Sequence, residues 1–184
     1  VDTHRRSMVE FEEVLSASKS IVLIDHHRRS EDFIDNAVLT YHEPYASSAC
    51  EMVTEILQYI QDNPKIGLKE AEALYAGIFL DTKGFTFKTG VRTFEAAAYL
   101  RRMGVDPVNI RRLFKTDIRD SVRLSKVISS AKIYRDNIAV AVCEDTGKDL
   151  QVLVAKAADE LLNISGIEAS FVIARLGHKI IISG

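Results

Sequence analysis

Cysteine, glycine and proline are scarce in this sequence, and long apolar runs are missing. Its 184 residues include 2 Cys, 9 Gly and 3 Pro, which excludes collagen-like and low-complexity proteins. The longest apolar runs, at residues 21–24 and 138–143, are far shorter than the roughly 20 residues needed to cross a bilayer. Because no basic leader precedes an apolar stretch, the sequence predicts a cytoplasmic location.

The cysteine spacing and the net charge exclude several further classes of function. Cys50 and Cys143 lie far apart and outside any CxxC or Cys/His spacing. A zinc finger, a redox pair or a disulfide scaffold is therefore not expected, and both residues are predicted to be core thiols. The formal net charge is −2, which does not provide the concentrated positive field that long nucleic acids require. We expect no long nucleic acid as a partner.

The first part of the chain predicts an α/β domain. A β-branched apolar strand is predicted at residues 20–24, and it runs directly into polar residues. A helix is predicted from Ser47 to about residues 63–64, with Ser47 or Ser48 as its N-cap and Glu51 completing a capping box. Further helices are predicted at residues 68–79, at residues 92–103 and from Asp106 onward.

The second part of the chain predicts a smaller α/β domain. A helical pattern at residues 117–128 indicates a helix that connects two domains, at residues 1–116 and 129–184. Asp136-Asn137 is the expected hairpin turn of the second domain, and His178 is expected in another turn. Its predicted elements are strands at residues 131–134 and 138–142, a helix at 150–162, and strands at 169–175 and 179–182.

Asp2, His26 and Asp81 are the candidate metal ligands. Carboxylate together with imidazole suits manganese, iron or zinc. Because successive side chains of a strand point to opposite faces, only one of His26 and His27 is expected in the coordination shell unless the strand has ended there. Each aspartate alone has an ordinary alternative, such as a surface residue at Asp2 or an Asx turn at Asp81. Their joint occurrence is what favours a metal site.

The order of these motifs resembles the DHH phosphoesterase superfamily. The chain has Asp-Thr-His-Arg at residues 2–5, Asp-His-His-Arg-Arg at 25–29 and Asp-Thr at 81–82. The stretches at residues 45–55, 158–162 and 167–172 are most similar to the GdpP-type cyclic di-AMP phosphodiesterases. The resemblance covers nearly the whole chain. It implies a DHH-type parallel sheet flanked by helices, a connecting helix, and a smaller α/β DHH-associated domain that supplies part of the substrate site.

The resemblance also assigns a role to individual residues. It implies that Asp2 bridges two manganese ions and that His26 and Asp81 bind one of them. It also implies that His27 and Arg28 contact the scissile phosphate. A carboxylate that bridges two ions about 3.5–4 Å apart helps to activate water for in-line attack on phosphorus. The resemblance further implies that Asp25 orients a histidine and that substrate is bound by Arg29, Ser47 and Ser48.

Two motifs of the family are not found in this sequence. One is the first motif, a strand ending in a histidine and two aspartates that complete the metal centre. The other is a Gly-Gly-Gly-His loop of the DHH-associated domain. We therefore expect the chain as given to hold at most one ion tightly and to have little activity.

The function implied for the parent enzyme is manganese-dependent hydrolysis of cyclic di-AMP to the linear dinucleotide. Two alternatives stay open: a DHH-family nuclease that acts on short oligoribonucleotides or single-stranded DNA, and a non-catalytic nucleotide-binding fragment. The expected partner is a cyclic dinucleotide, and a homodimer is compatible with this interpretation. Any membrane attachment would come through domains outside these residues, with this module on the cytoplasmic side.

Overall fold

The computed structural model describes residues 1–60, 66–147 and 149–184. These residues form two compact units, Val1–Phe114 and Lys115–Gly184. Each unit combines helices with a sheet that contains parallel strands, so the expected α/β class is confirmed. No helix in the described ranges is long and apolar enough to cross a membrane.

The first unit begins with a small sheet and continues with helices. A 3-10 turn at Arg6–Met8 and helix α1 (Glu13–Ala17) precede strands β1 (Val22–Asp25) and β2 (Leu39–His42). The helices that follow are α2 (Ala49–Tyr59), α3 (Leu68–Asp81), α4 (Val91–Arg102) and α5 (Pro107–Leu113). Most of the candidate site residues predicted from the sequence lie at the carboxyl ends of β1 and α3.

The two strands of the first unit pair in parallel. Parallel pairing brings the carboxyl ends of β1 and β2 to the same edge, where Asp25 lies opposite His42. The strand pair is supported by a small apolar core that contains Leu15, Leu23 and Ile34. This edge is the expected place for a site, since ligands of α/β sheets bind at the carboxyl ends of strands.

A close contact between α2 and α3 sets the position of α3. Ser48 is the N-cap of α2, and its hydroxyl accepts a hydrogen bond from the Glu51 backbone N–H at 3.0 Å, as predicted. Farther along, the half-buried thiol of Cys50 faces Gly77 of α3. A Cβ atom at position 77 would overlap the Cys50 Sγ, so the absence of a side chain at Gly77 permits this approach.

The predicted stop signal of α4 and the predicted start signal of α5 are both found in the structure. Gly104, just beyond α4, has a φ of 101°, which favours glycine. The Asp106 carboxylate accepts a hydrogen bond from the Val108 N–H and caps α5, with Pro107 as the first helical residue. The apolar faces of α3, α4 and α5 share one core, which includes Ala71, Ile78, Leu100, Val105 and Ile110.

Arg92, in the first turn of α4, joins this helix to α2 and to the end of β2. Its guanidinium donates to Glu55 at 2.6 Å, to Glu43 at 2.5 Å and to the Tyr41 hydroxyl at 3.1 Å. Hydrogen bonds from Arg92 lower the pKa of Glu43. Because the Glu43 N–H donates to the Asp25 carbonyl at 2.9 Å, the network also contacts the end of β1.

The second unit is a four-stranded sheet packed against two helices. Its elements are α6 (Ile118–Ser129), β3 (Lys132–Tyr134), β4 (Ile138–Cys143), α7 (Leu150–Leu162), β5 (Ala169–Leu176) and β6 (Lys179–Ser183). The spatial order is β3-β4-β5-β6; β4 and β5 are parallel, and the two outer pairs are antiparallel. Val127 of α6 and the buried Cys143 lie in the same core as α7, so the predicted connecting helix packs within this unit.

Several element boundaries differ from those predicted. Helix α1 and strand β2, with five and four residues, were not predicted. Helix α3 was predicted to end at residue 79 but includes Asp81, which lies in its last turn. The β3–β4 hairpin turns at Arg135 and Asp136, with φ of 51° and 68°, one residue earlier than predicted. Helix α2 ends at Tyr59, and its predicted end near residues 63–64 lies outside the described residues. His178 lies in a turn, as expected.

An ion pair between Arg123 and Asp145 makes the stability of the second unit depend on pH. Arg123 donates two hydrogen bonds to the Asp145 carboxylate, at 2.8 and 2.9 Å. These bonds, together with one from the Gly147 N–H, lower the pKa of Asp145 from 3.8 to about 2. A carboxylate with a lowered pKa stabilises the fold above its unfolded pKa. That contribution is lost as the pH falls through the folded value.

We expect Asp145→Asn to lower the free energy of unfolding by about 1 kcal/mol at neutral pH. The difference from wild type should shrink as the pH falls below 3.8 and should be nearly gone at about 2. Urea denaturation at several pH values measures this difference. Asp149→Asn is the control, since Asp149 makes no capping hydrogen bond to α7. A difference that stays constant with pH would contradict the assignment.

Candidate active site

Asp2, His26 and Asp81 lie side by side at the carboxyl edge of the β1–β2 sheet. His26 directly follows β1, and Asp81 is the last residue of α3. A hydrogen bond of 2.8 Å from the Asp2 N–H to the Ile24 carbonyl brings the first residues to the same edge. His26 Nε2 is 3.4 Å from Asp2 Oδ1 and 3.8 Å from Asp81 Oδ2. The sequence predicted that these three side chains converge, and they do.

The distances from His26 to each of the two carboxylates suit a divalent transition-metal ion, although Asp81 lies outside the set of donor atoms that are all within 4.8 Å of one another. Ligand bonds near 2 Å place two donors on one ion roughly 3–4 Å apart, and the distances from His26 Nε2 lie in this range. Carboxylate oxygens with an imidazole nitrogen suit manganese, iron or zinc. Asp2, His26 and His27 also offer donor atoms that all lie within 4.8 Å of one another. The role of Asp2, His26 and Asp81 as ligands stays a prediction.

The group is open to solvent on one side. The His26 side chain is 11% exposed, whereas those of Asp2 and His27 are 56% and 54% exposed. Asp2 also has a φ of 64°, a left-handed conformation that aspartate tolerates better than most residues. Such conformations are often retained at functional sites. Because Asp2 and His27 are the exposed members of the group, a substrate can approach from their side.

The electrostatic environment of Asp81 favours a bound cation. Burial raises the pKa of Asp81; His26 opposes this effect, and the negative charge of Asp2 adds to it. Two carboxylates that share a site repel each other when both are ionised. A cation between them removes this repulsion.

The Cys50 thiol lies near this group but stays protonated at neutral pH. Burial, followed by the charges of Asp81 and Asp2, raises the pKa of Cys50 to about 11. The nucleophilic and metal-binding form of cysteine is the thiolate. Cys50 therefore has a packing role here, in contact with Gly77.

The carboxylate of Asp25 organises the loop that carries both histidines. Its Oδ1 accepts hydrogen bonds from the His26 N–H at 2.8 Å, the His27 N–H at 3.2 Å and His27 Nδ1 at 2.7 Å. Its Oδ2 accepts one from His4 Nδ1. Burial by itself would raise the pKa of Asp25, but hydrogen bonds from His27 and His4 outweigh it and lower the pKa to about 2. Asp25 is thus ionised at neutral pH and fixes the orientation of the His27 ring.

His4 is a buried part of the site to which the sequence gave no role. Its Nε2 accepts a hydrogen bond from the Ser30 N–H at 3.0 Å, while its Nδ1 bonds to Asp25. A nitrogen that accepts a hydrogen bond carries no proton, so this geometry assigns a neutral ring protonated at Nδ1. His4 connects Asp25 with the far end of the loop at Ser30. Its place in the Asp-Thr-His-Arg motif was the signal in the sequence.

His42 is a second supporting residue that the sequence analysis missed. It ends β2, and its Nε2 donates to the His27 carbonyl at 2.6 Å. His4, Asp25 and His42 offer another set of donor atoms within 4.8 Å. Because both nitrogens of His4 and the Nε2 of His42 are already hydrogen-bonded, this set supports the loop. The available signal was a histidine directly after Val-Leu-Thr-Tyr at residues 38–41, a stretch rich in residue types that favour strands.

Arg28 and Arg29 extend from the same loop to the surface. The Arg29 guanidinium lies 4.2 Å from the centroid of the Phe33 ring, a cation–π contact. The Arg28 side chain makes no hydrogen bond or ion pair with any residue that the structure describes. Its charge is therefore free to meet an anion, and the substrate roles of Arg28 and Arg29 stay predictions.

Ser47 and Ser48 are buried, with exposed fractions of 2% and 0%. The Ser48 hydroxyl caps α2, and the Ser47 hydroxyl donates to the Glu51 carboxylate. Both hydroxyls thus help to start α2. Their predicted role in substrate binding would require these hydrogen bonds to exchange.

Comparison with known families agrees with the order of the motifs and with this geometry. Residues 1–78 match the N-terminal domain of the DHH family. This part of the chain is a DHH domain. Its Asp25-His26-His27 run is the turn built around the ionised Asp25 carboxylate.

Two curated relatives of the chain are named cyclic-di-AMP phosphodiesterases. PdeA of Listeria monocytogenes is 44% identical over 181 residues, which are 98% of this chain and 28% of the relative. GdpP of Bacillus subtilis is 47% identical over 177 residues, which are 95% of this chain and 27% of the relative. The chain therefore spans just over a quarter of the length of these relatives, and the resemblance predicted from its motifs is confirmed.

A solved structure shows the same fold. The exopolyphosphatase-related protein from Bacteroides fragilis superposes with a TM-score of 0.83 at 22% identity, and the match covers 99% of this chain and 56% of that chain. At this identity the likeness supports the fold alone. The arrangement of elements in this chain is thus one that occurs in a crystal structure.

We expect His26→Ala and Asp81→Asn to weaken manganese binding to the chain. Each change removes a donor, so the loss should exceed the roughly 10- to 100-fold that follows when only a supporting hydrogen bond is lost. Isothermal titration with manganese measures the affinity, and circular dichroism checks the fold. Glu31→Gln, an exposed carboxylate just beyond the DHH motif, is the control. Unchanged affinity in both site variants would rule out this centre.

Proposed function

We propose that this chain is the catalytic part of a phosphodiesterase that uses manganese to hydrolyse cyclic di-AMP to the linear dinucleotide. The observation that carries the proposal is the group of two carboxylates within 4 Å of His26 Nε2, with His27 and Arg28 beside it. The names of relatives at 44% and 47% identity support the substrate class.

Asp2, His26 and Asp81 would hold the metal. When bound, manganese supplies a Lewis acid and lowers the pKa of water so that it can attack phosphorus. Asp2 is the more exposed carboxylate, at 56% against 33% for Asp81. It therefore has coordination capacity left for a second ion, which supports its proposed bridging role.

His27 is proposed to contact the phosphate through Nε2. Its Nδ1 is held by Asp25, and its carbonyl is held by His42, so both the ring and the backbone are fixed before substrate binds. Half of the His27 side chain is exposed. A ring fixed in advance costs little reorganisation when charge develops on a phosphate oxygen.

Arg28 is proposed to supply positive charge on the solvent side of the group. A guanidinium presents several N–H donors in one plane and can bind two oxygens of a phosphate at once. With no partner among the described residues, Arg28 breaks no existing ion pair when it binds one. The neighbouring Arg29 is proposed to bind substrate as well, and so are Ser47 and Ser48 once their present hydrogen bonds exchange.

The second unit is proposed to be the DHH-associated domain and to bind part of the substrate. It contains the helix predicted at residues 117–128 and the domain predicted at residues 129–184. The similarity of the curated relatives extends through this unit as well as the DHH domain, which supports a common role for both.

Turnover by the full-length protein in the presence of manganese tests the proposal. Cyclic di-AMP, the linear diadenylate and a short oligoribonucleotide would be compared as substrates, with products separated by chromatography. We expect cyclic di-AMP to be converted to the linear dinucleotide. Preferential cleavage of the oligoribonucleotide would instead support a nuclease, and tight binding without turnover would support a non-catalytic nucleotide-binding protein.

We expect His27→Ala and Arg28→Ala to lower kcat for cyclic di-AMP by about 10²- to 10³-fold, the usual effect of losing one contact to the transition state. Manganese content should stay near the wild-type value, because neither residue is a proposed ligand. Elemental analysis of the purified variants measures it. Arg111→Ala, an exposed arginine of α5, is the control. Loss of bound metal in either site variant would contradict these roles.

A further inference from the structure

The loop that follows Asp81 has an unusual backbone. Residues 82–90 connect α3 to α4 and include three non-glycine residues with positive φ: Lys83 at 46°, Phe85 at 66° and Lys88 at 50°. Left-handed conformations are costly for residues with a side chain and are often kept where function requires them. The loop begins at the residue next to a proposed metal ligand.

Thr82 holds this loop in place. Its carbonyl accepts hydrogen bonds from the Thr86 N–H and the Phe87 N–H, both at 2.9 Å. Its hydroxyl accepts one from the Phe85 N–H at 3.0 Å. Thr82 itself is fully buried. The backbone of Phe87 is thereby tied to the residue that follows Asp81.

The two phenylalanines of the loop differ in their surroundings. The Phe85 ring packs inward, with centroid distances of 5.5 Å to Tyr75 and 5.9 Å to Phe94. Phe87 is 50% exposed. The ammonium groups of Lys83 and Lys88 lie 5.9 and 5.5 Å from the centroid of its ring. Phe85 thus anchors the loop, whereas Phe87 is presented to solvent between two positive charges.

We propose that Phe87 is a stacking platform for one nucleobase of the cyclic dinucleotide, with Lys83 and Lys88 drawing its phosphates. This inference rests on the proposed function and adds a substrate contact to it. An aromatic side chain that stacks on a base, with cations beside it, is how proteins bind single-stranded nucleotides without reading base edges. The distance of 5.5 Å from the Lys88 ammonium to the ring is near the outer limit of a cation–π contact, so this group can leave the ring when a base arrives.

The backbone of Phe87 lies close to the proposed metal ligand Asp81. Its N–H is bonded to the Thr82 carbonyl, one residue from Asp81, and a base lies one sugar away from its phosphate. The proposal requires that a phosphate at the metal group place its base against the Phe87 ring. The platform binds the base and makes no contact with the reacting phosphorus, so it distinguishes nucleotide phosphodiesters from phosphodiesters that lack a base.

Steady-state kinetics of the full-length protein with two substrates test this inference. The substrates are cyclic di-AMP and its cyclic abasic analogue, which keeps both phosphodiesters but lacks bases. We expect Phe87→Leu to raise KM for cyclic di-AMP by roughly 5- to 150-fold and to leave KM for the abasic substrate unchanged. Phe87→Trp should keep the wild-type KM, because it retains an aromatic face. Phe11→Leu, an exposed phenylalanine elsewhere in the unit, is the matched control.

Two outcomes would contradict the proposed stacking role of Phe87. One is a KM for cyclic di-AMP in Phe87→Leu that equals that of Phe11→Leu. The other is an equal loss with both substrates, since that would place Phe87 in support of the fold or of the metal group. Calorimetric titration with AMP and with ribose 5-phosphate gives an independent comparison that needs no turnover. Weaker AMP binding in Phe87→Leu, with ribose 5-phosphate unaffected, supports the platform even if the protein does not hydrolyse cyclic di-AMP.

Discussion

A negative charge shielded from solvent, that of the Asp25 carboxylate, is the constraint on which the site depends. Burying a charge is unfavourable unless its hydrogen-bonding capacity is used. Asp25 meets this requirement with two backbone N–H groups and two imidazole rings. The segment after β1 can satisfy all of these bonds only by turning tightly around the carboxylate. The conformation of the functional loop therefore follows from the need to solvate one buried charge.

This turn explains how two adjacent histidine rings come to lie on the same side of the chain. In a continuing strand their rings would point to opposite faces. The strand ends at Asp25, and both backbone N–H groups turn towards its carboxylate. The rings of His26 and His27 thus stay on the same side, with centroids 4.5 Å apart. One ring faces Asp2 and Asp81, and the other is held by Asp25 beside solvent.

The sequence indicated the candidate metal ligands but not the contacts that support them. Short motifs indicated Asp2, His26 and Asp81 as candidate ligands, because each combines a ligand-type side chain with the end of an apolar segment, and their role as ligands stays a prediction. The Arg92 network could not be predicted, since its partners lie 37 to 51 residues away and no local pattern links them. Strand β2 was missed because its four residues are exposed or half-buried. Local periodicity finds elements with a clear buried face, whereas the supports of this site are long-range polar contacts.

The contact between Gly77 and Cys50 has a consequence for how such domains vary. The thiol occupies the space that a Cβ at position 77 would need, so the two positions share one small volume between α2 and α3. A larger residue at either position would push α3 outward and move Asp81 away from His26. In an alignment of relatives we therefore expect positions 50 and 77 to change together, with a larger side chain at one compensated by a smaller one at the other.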